Sequence, residues 1–310
     1  MQPTVFIPNY NGKARIALAL DGLRGQSREA EVVVVDNGSS DGSVELLRER
    51  YPEVGLIELA QNLGFGPALN RAVAARADAD PVILLNDDAA PEPSFVEALV
   101  GRLDDSVDSV AGVLVQAADP GRIDSAGIVA DRTLMGFDYL HDEPVAVAET
   151  APDPLGPTGG AALYRRAAFE AVGGFDERIF LYYEDLDLAL RLAASGGRCQ
   201  LSPDARAVHA YSASLGAASP GKYAATGWSR GYMLRRYAIT AEPRLALRAL
   251  ACEGALCAGQ LLRDRTAAGL LGRWRGWRAA AHLERRDSDG VPLLDLSTRE
   301  ALALRRRRRG

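Results

Sequence analysis

Through the first ninety or so residues, apolar positions come in short bursts, each stopped by a cluster of turn formers. Residues 4–8 are one such burst, ending at Asn9-Tyr10-Asn11-Gly12. Val32-Val33-Val34-Val35 is an unbroken β-branched run, as expected of a strand covered on both faces in a parallel sheet. It stops at Asp36-Asn37-Gly38-Ser39-Ser40-Asp41-Gly42, where turn formers and helix-capping residues crowd together. Residues 56–59 and 81–85 read as two further strands. Between the strands the apolar period lengthens to that of helices. One runs over about 14–24. A second runs over about 43–50, with Val44, Leu47 and Tyr51 on one face. A third opens at Gly64-Phe65-Gly66-Pro67, with Pro67 at its first position.

Strands alternating with helices predict an α/β fold with a doubly wound, mostly parallel sheet, whose ligand crevice lies beyond the carboxyl ends of the strands. Asn9, Asp36 and Asn86-Asp87-Asp88 each follow a strand and should rim that crevice together. Further on, a helix starting at Pro93 buries Phe95, Val96, Leu99, Val100 and Leu103, and residues 110–115 form another strand. Residues 133–157, with weak periodicity and four prolines, read as a loop or lid. Gly159-Gly160 leads into an apolar strand, 166–172 is a helix closed by Gly173-Gly174, and 185–195 is a helix closed by Gly196-Gly197. After His209 the pattern turns helical and rich in Ala and Arg. The division is therefore a catalytic region over 1–214, with halves of about 1–90 and 91–214, and a helical appendage over 215–310.

Composition adds compartment and charge. The 310 residues are 47% hydrophobic and 25% charged, with no stretch of eighteen uncharged apolar residues, so no spanning helix is expected. The chain enters a strand at once, so no secretory signal is expected either. Cys199, Cys252 and Cys257 lack metal-type spacing and suit a reducing cytoplasm. Net charge is −5, unevenly shared. Residues 215–310 hold 19 Lys and Arg against 8 Asp and Glu (+11), and the rest of the chain carries −16. An acidic half suits cation binding, and a basic tail suits an anionic lipid surface or lipid diphosphate. Plain arginine bias, 34 of the 36 basic residues, gives the same tail charge.

Two acidic clusters carry the candidate chemistry. Asp87 and Asp88, adjacent at a strand end, repel each other and need a counter-charge. A hard divalent cation, Mg²⁺ or Mn²⁺, can supply it while bridging to phosphate oxygens, with Asp88 on the metal and Asn86 or Asp87 toward ribose or phosphate. An exposed acidic turn before the Pro91-Glu92-Pro93 helix entry has the same composition. Glu184-Asp185 opens a helix, where acids are favoured by the helix dipole in any case. A carboxylate there can also take a proton from an attacking hydroxyl, with Asp187 a partner or a bystander. Asp36 can accept a hydrogen bond from a nucleobase or ribose, and His209, ending the apolar run 205–208, can add an imidazole ligand. His141 and His282 sit in plainer contexts. Dinucleotide-loop, phosphate-loop, nucleophile-elbow and zinc patterns do not occur.

These segments, in order, resemble the inverting glycosyltransferase family 2, with its GT-A fold, and its rhamnosyltransferase-like branch most. The resemblance is carried by Phe6-Ile7-Pro8-Asn9-Tyr10-Asn11, Val33 through Gly42, Asn62-Leu63-Gly64-Phe65 with Asn70, and Leu84-Leu85-Asn86-Asp87-Asp88. It continues through Thr158-Gly159-Gly160-Ala161, Gly173-Gly174-Phe175-Asp176-Glu177, Phe180-Leu181-Tyr182-Tyr183-Glu184-Asp185-Leu186-Asp187, and His209 with Ser214. It implies that Pro8, Tyr10 and Asp36 line the nucleobase pocket, with Asn62, Asn86 and Asp87 also on the donor nucleotide. It implies Asp88 and His209 at the metal, Asp185 as base beside Glu184, and Gly159, Gly160 and Tyr183 near the sugars. Asn86 stands where the general motif has its first Asp, which weakens the expected metal set. The implied donor is a nucleoside-diphosphate sugar, with deoxythymidine-diphosphate rhamnose leading. The implied acceptor is a saccharide or lipid-linked glycan, and nucleic acid is not a partner.

A sugar nucleotidyltransferase would want a glycine-rich basic N-terminal loop, and 8–15 has one glycine. A non-catalytic nucleotide-sugar or glycan-binding subunit remains the other reading. In the tail, Pro243 should begin a helix through about Arg263, and Trp274 and Trp277 among arginines read as an interfacial segment or as a cap on the catalytic region. Arg305 through Arg309 reads as a disordered solvated tail. The implied location is the cytoplasm, with peripheral contact at the cytoplasmic membrane face.

Overall fold

The computed structural model describes residues 2–210 and 219–307, with side chains as far as 305. In chain order its elements begin β1 (Gln2–Asn9), α1 (Ile16–Arg24), β2 (Glu31–Asp36), α2 (Ser43–Arg50), β3 (Gly55–Glu58), α3 (Phe65–Ala75) and β4 (Ala79–Leu85). β5 (Ala89–Pro91), α4 (Phe95–Gly101), β6 (Ser109–Gln116), β7 (Ile123–Ser125), β8 (Ile128–Ala130) and β9 (Gly136–Asp138) follow. Then come β10 (Ala161–Tyr164), α5 (Arg166–Ala171), α6 (Glu184–Ala194) and β11 (Cys199–His209). Four α-helices follow: α7 (Pro220–Arg236), α8 (Pro243–Arg263), α9 (Ala268–Ala279) and α10 (Thr298–Arg307).

Nine strands form one sheet in the order β3-β2-β1-β4-β10-β6-β11-β5, with β7 added along β6. β1, β2, β3 and β4 are mutually parallel, and β10 runs antiparallel between β4 and β6. Strand alternation sorts side chains between two helical layers. Val5, Ile7, Val34, Ile83 and Leu85 pack with α1, α2 and α4. Phe6, Val33, Val35, Val82 and Leu84 pack with α3, α5 and α6. The β-branched run of β2 is therefore buried on both faces, as its composition predicts.

Some boundaries differ from the expectation. α3 starts at Phe65, so Pro67 is its third residue. The first turn's N–H groups have no helical acceptor, so Pro67 loses nothing there. α4 starts at Phe95, two residues after Pro93. The supposed loop 133–157 is largely packed: Thr133 and Leu134 are fully buried, β9 pairs with β8, and residues 145–149 form a 3-10 helix. One Asp131 carboxylate oxygen orders this turn by accepting from the Thr133 amide (2.8 Å), the Thr133 hydroxyl (2.7 Å) and the Met135 amide (3.1 Å). Three-residue strands are too short for a periodicity reading to find.

The helical region packs against the sheet domain. Tyr232, Met233 and Tyr237 of α7 and its end share a core with Ile179, Leu186 and Leu190. Asp187 is fully buried, accepting from Tyr237 Oη (2.9 Å) and Arg191 Nε (2.8 Å) and pairing with Arg286, which also reaches Asp176 at 2.9 Å. Asp187 thus anchors the tail. Of the run 305–309 expected to be a disordered tail, Arg305 lies on α10, donating to the Gly136 carbonyl at 3.2 Å, and residues 308 and 309 lie outside the described residues. Ala301 of that helix is buried with Met135, Phe137 and Cys252. Ser214, the segment carrying it and the boundary near 215 lie outside the described residues.

α7 and α9 meet backbone to backbone. A Cβ on Gly231 would collide with the Arg273 carbonyl, and one on Gly276 with the Trp228 carbonyl. Small residues here set the interhelical distance. Gly276→Val is expected to destabilise the protein by about 1–3 kcal/mol through overpacking, read as a lowered urea midpoint.

Candidate active site

The parallel strands end together, and that edge is open. Asn9 and Asp36 are register partners at the ends of β1 and β2, and Asn86-Asp87-Asp88 leaves the end of β4. Beyond them lies a crevice of about 360 Å³, within the range of small-molecule sites. Its wall includes Pro8, Tyr10, Asn62, Asn86, Asp87, Asp88, Gly159, Gly160, Tyr183, Glu184, Asp185 and His209. Of the residues expected at the site, Asp36 alone is absent from this wall.

Asp36 faces inward. It accepts from Asn9 Nδ2 at 2.7 Å and from the Ser39 amide at 2.9 Å, and it is almost fully buried. Its carboxylate shapes the turn between β2 and α2. The crevice wall beside it comes instead from Tyr10, Asn37 and Asn62. Asn37 holds Asn62 (3.0 Å) and accepts from the Leu63 amide (2.8 Å), which fixes that wall.

The two adjacent acids receive their counter-charges from the protein. Arg15 reaches Asp87 Oδ2 at 2.9 Å and also donates to the Tyr10 and Asn11 carbonyls. Burial nevertheless pushes the Asp87 carboxyl up to about 6, against the pull of Arg15. β5 turns back beside β11, where Ala89 registers with His209, bringing the imidazole Nε2 to 3.2 Å from Asp88 Oδ1. Asp124, on β7, takes Nδ1 at 2.7 Å. β7 and β11 both pair with β6, which is how Asp124 reaches across. Burial draws the imidazole pKa down, but the bonds and charges of Asp124 and Asp88 outweigh it and raise it to about 10.

Among the described residues, no three His, Cys, Asp or Glu side chains form a group able to hold a metal ion by themselves. Once a cation displaces the proton on Nε2, Asp88 and His209 can offer one oxygen and one nitrogen side by side, with the Asp124 carboxylate steering the ring from behind, a pattern common around metal-bound histidines. Such a partial set suits a divalent cation whose other ligands come from a bound diphosphate and water.

The opposite wall is the start of α6. Tyr182 and Tyr183 both have left-handed backbone, φ 68° and 74°. Bulky residues rarely adopt it, at a cost on the order of 1–3 kcal/mol each, and such strain gathers at functional sites. The double turn swings Glu184 and Asp185 to the crevice. The segment before them docks through Gly64, φ 95°, whose missing Cβ lets the Phe180 backbone close in, with Phe65 N donating to Phe180 O at 3.0 Å. Glu184 is buried, and that burial, then the Asp185 charge, push its carboxyl well above the usual range. Asp185 is half-buried, its Oδ1 accepting from the Leu186 amide at 2.8 Å.

Several wall residues have no signal in the sequence: Arg15, Asp124, Asp138, and Lys222, Thr226 and Arg305 from the helical region. His141, set aside on sequence, lies behind the site with Nδ1 2.7 Å from the Asp124 carbonyl.

The model of the family described as Glycosyl transferase family 2 matches residues 4–173, over half of the chain. N-acetylglucosaminyl-diphospho-decaprenol L-rhamnosyltransferase of Mycobacterium tuberculosis is 32% identical over 205 residues, 59% of this chain and 67% of that protein. Among solved structures, GalNAc-T7 with UDP, GalNAc and Mn2+ superposes with a TM-score of 0.63 at 12% identity, over 92% of this chain and 55% of that one. Mannosyltransferase PcManGT from Pyrobaculum calidifontis, in complex with GDP-Man and Mn2+, does so with a TM-score of 0.52 at 22% identity, over 90% and 84%.

Proposed function

The chain belongs to glycosyl transferase family 2 and has the GT-A fold, and we propose that it moves a sugar, with inversion, from a nucleoside-diphosphate donor to a hydroxyl of a saccharide or lipid-linked acceptor. The mycobacterial relative's name supports rhamnose as the sugar and a diphospho-lipid glycan as the acceptor class. A lipid-linked acceptor fits cell-envelope biosynthesis, and in this reading the chain works at the cytoplasmic membrane face. One observation carries the reading. Asp88 with His209, and Glu184-Asp185, come from distant parts of the chain and face one crevice at the strand ends. Residues 1–214 would do the chemistry, with the nucleotide on the half to about residue 90 and the acceptor on the half from 91.

In this reading Pro8, Tyr10, Asn37 and Asn62 hold the base and ribose, and Asn86 and the Arg15-bound Asp87 face the phosphates. Asp88 and His209 would hold Mg²⁺ or Mn²⁺, which neutralises charge on the departing diphosphate when bound. Gly159, Gly160 and Tyr183 lie along the sugars. Asp185 takes the proton of the acceptor hydroxyl as its oxygen attacks the anomeric carbon. The bond to the nucleoside diphosphate breaks on the opposite side, and the configuration inverts.

A thermal-shift panel of nucleoside diphosphates and nucleotide sugars, each with Mn²⁺, Mg²⁺ or chelator, tests this. One donor class should stabilise the protein by about 2.7 kcal/mol at a hundredfold excess over Kd, and only with metal. Asp88→Ala should lose the metal-dependent part. A folded protein indifferent to every nucleotide would overturn the reading. Donor binding without turnover on any glycan acceptor would favour a binding subunit.

A further inference from the structure

α8 is amphipathic in reverse. Its solvent face carries Leu247, Ala251, Gly254, Ala255, Ala258 and Leu262, together with Leu250 and Leu261, all exposed. At 100° per residue these fill one side of the helix over about four turns without a charged group. Leu247 is 72% exposed and Leu262 80%. The charges of the central turns point inward: Arg248 to Asp131 at 2.6 Å, and Glu253 to Arg230 and Arg273. α9, joined to α8 by the Arg273–Glu253 pair, adds Leu270, Leu271 and Trp274, also exposed. Water is a poor neighbour for such a patch, and patches of this kind mark interaction surfaces.

The charge around the patch identifies the partner. Arg244, Arg263, Arg265, Arg275 and Arg278 are exposed at its ends and along α9, against Glu242, Asp264 and Asp295, the last 4.0 Å from Arg248. The Arg278 guanidinium lies 5.0 Å from the Trp274 ring centre. Leucines flanked by arginines, with a tryptophan at the boundary, match acyl chains below and anionic headgroups around them. α8 is long and apolar enough to cross a membrane by length and composition. Its inner face, however, is tied by buried ion pairs to α7, α9 and Asp131, so it cannot leave the protein to span.

We propose that the outward face of α8, with the exposed side of α9, docks onto the surface of an anionic phospholipid bilayer, with α8 lying in the interfacial plane. Cys252 on its inner side packs against Met135 and Phe137, so the helix backs the crevice wall formed by Gly136, Phe137 and Asp138. The docked face and the site are then one helix apart.

The test uses the whole protein without nucleotide or acceptor, so its failure would leave the transferase reading standing. Sedimentation with phosphatidylcholine vesicles, with and without phosphatidylglycerol, is expected to show binding that needs the anionic lipid and weakens with salt. Tryptophan emission should shift to the blue on binding. The triple variant Leu247→Glu, Leu250→Glu, Leu262→Glu should bind at least about tenfold more weakly, with an unchanged thermal melt. Arg263→Ser with Arg265→Ser and Arg278→Ser, an independent set, should reduce the dependence on anionic lipid. The proposal is overturned if the wild type ignores anionic vesicles, or if the leucine variant binds as well as wild type. It is also overturned if light scattering shows a dimer that this variant dissolves, in which case the face belongs to a second copy.

Discussion

Asp185→Asn is expected to lower kcat by about 10²–10⁴-fold, the usual contribution of a positioned proton acceptor, while the donor's Kd stays within error of wild type. The neighbouring acid is the poorer base. Glu184 is buried, and its burial together with the Asp185 charge raises its carboxyl above the usual range, which favours its protonated form over that of a free base. Asp185 lies half-buried on the crevice wall, with one oxygen braced by the Leu186 amide at 2.8 Å. The left-handed pair Tyr182 and Tyr183 fixes where both acids point, so the substitution should remove the proposed proton acceptor without moving the backbone that carries it. An equal fall in kcat and kcat/KM is the signature of a contact made only in the transition state. Calorimetric titration with donor and metal checks that the ground state is intact. Glu184→Gln should cost far less, since the amide keeps the shape of the carboxyl and its buried surroundings already disfavour a charge there. Asp185→Asn retaining most of its turnover, or Glu184→Gln losing as much as Asp185→Asn, would remove Asp185 from the role.

The sequence made legible those features that local chemistry encodes. A run such as Val32 to Val35 can be little else than a doubly buried strand, and the Asn, Asp and Gly residues behind it can only be a turn, so the strand-end crevice could be located in advance. Features that depend on contacts between distant segments were not legible. Asp36 was expected to face a ligand; its carboxylate lies buried on Asn9, its partner across the β1–β2 register, and on the Ser39 amide, contacts no local pattern displays. Asp124 sits in a three-residue strand and reaches His209 only because β7 and β11 share β6 as a neighbour. Arg15 and Arg305 have no signal in a chain where 34 residues are arginine. Whether Asp187 was a partner of the Glu184-Asp185 pair or a bystander stayed open on sequence, because its own partners, Tyr237 and Arg286, come from the helical region.

That region's hold on the rest of the molecule is the subject of the other large effect. Glu253→Ala is expected to destabilise the protein by about 3–5 kcal/mol, as breaking a buried ion network does. Glu253 Oε1 accepts from Arg230 Nε at 2.7 Å, and Oε2 from Arg273 Nε at 2.6 Å. Arg230 is almost fully buried, so removing the carboxylate strands a guanidinium out of reach of water. A leucine at 253 would not help while both arginines remain. Replacing all three by apolar residues of similar volume should restore much of the loss, since the network's own desolvation is costly. The exposed pair Arg24–Glu53 is the contrast, and Glu53→Ala should leave the urea midpoint where it is. The consequence is not confined to stability. Arg230 also donates to the carbonyls of Thr133 and Leu134, in the turn that leads into β9 and the crevice wall. Glu253→Ala should therefore raise the acceptor KM at temperatures where the variant is still folded, with donor affinity unchanged. A loss of under about 1 kcal/mol, the value of an exposed pair, would mean that water or a rearranged side chain reaches Arg230, and the helical region would then be held mainly by its apolar contacts.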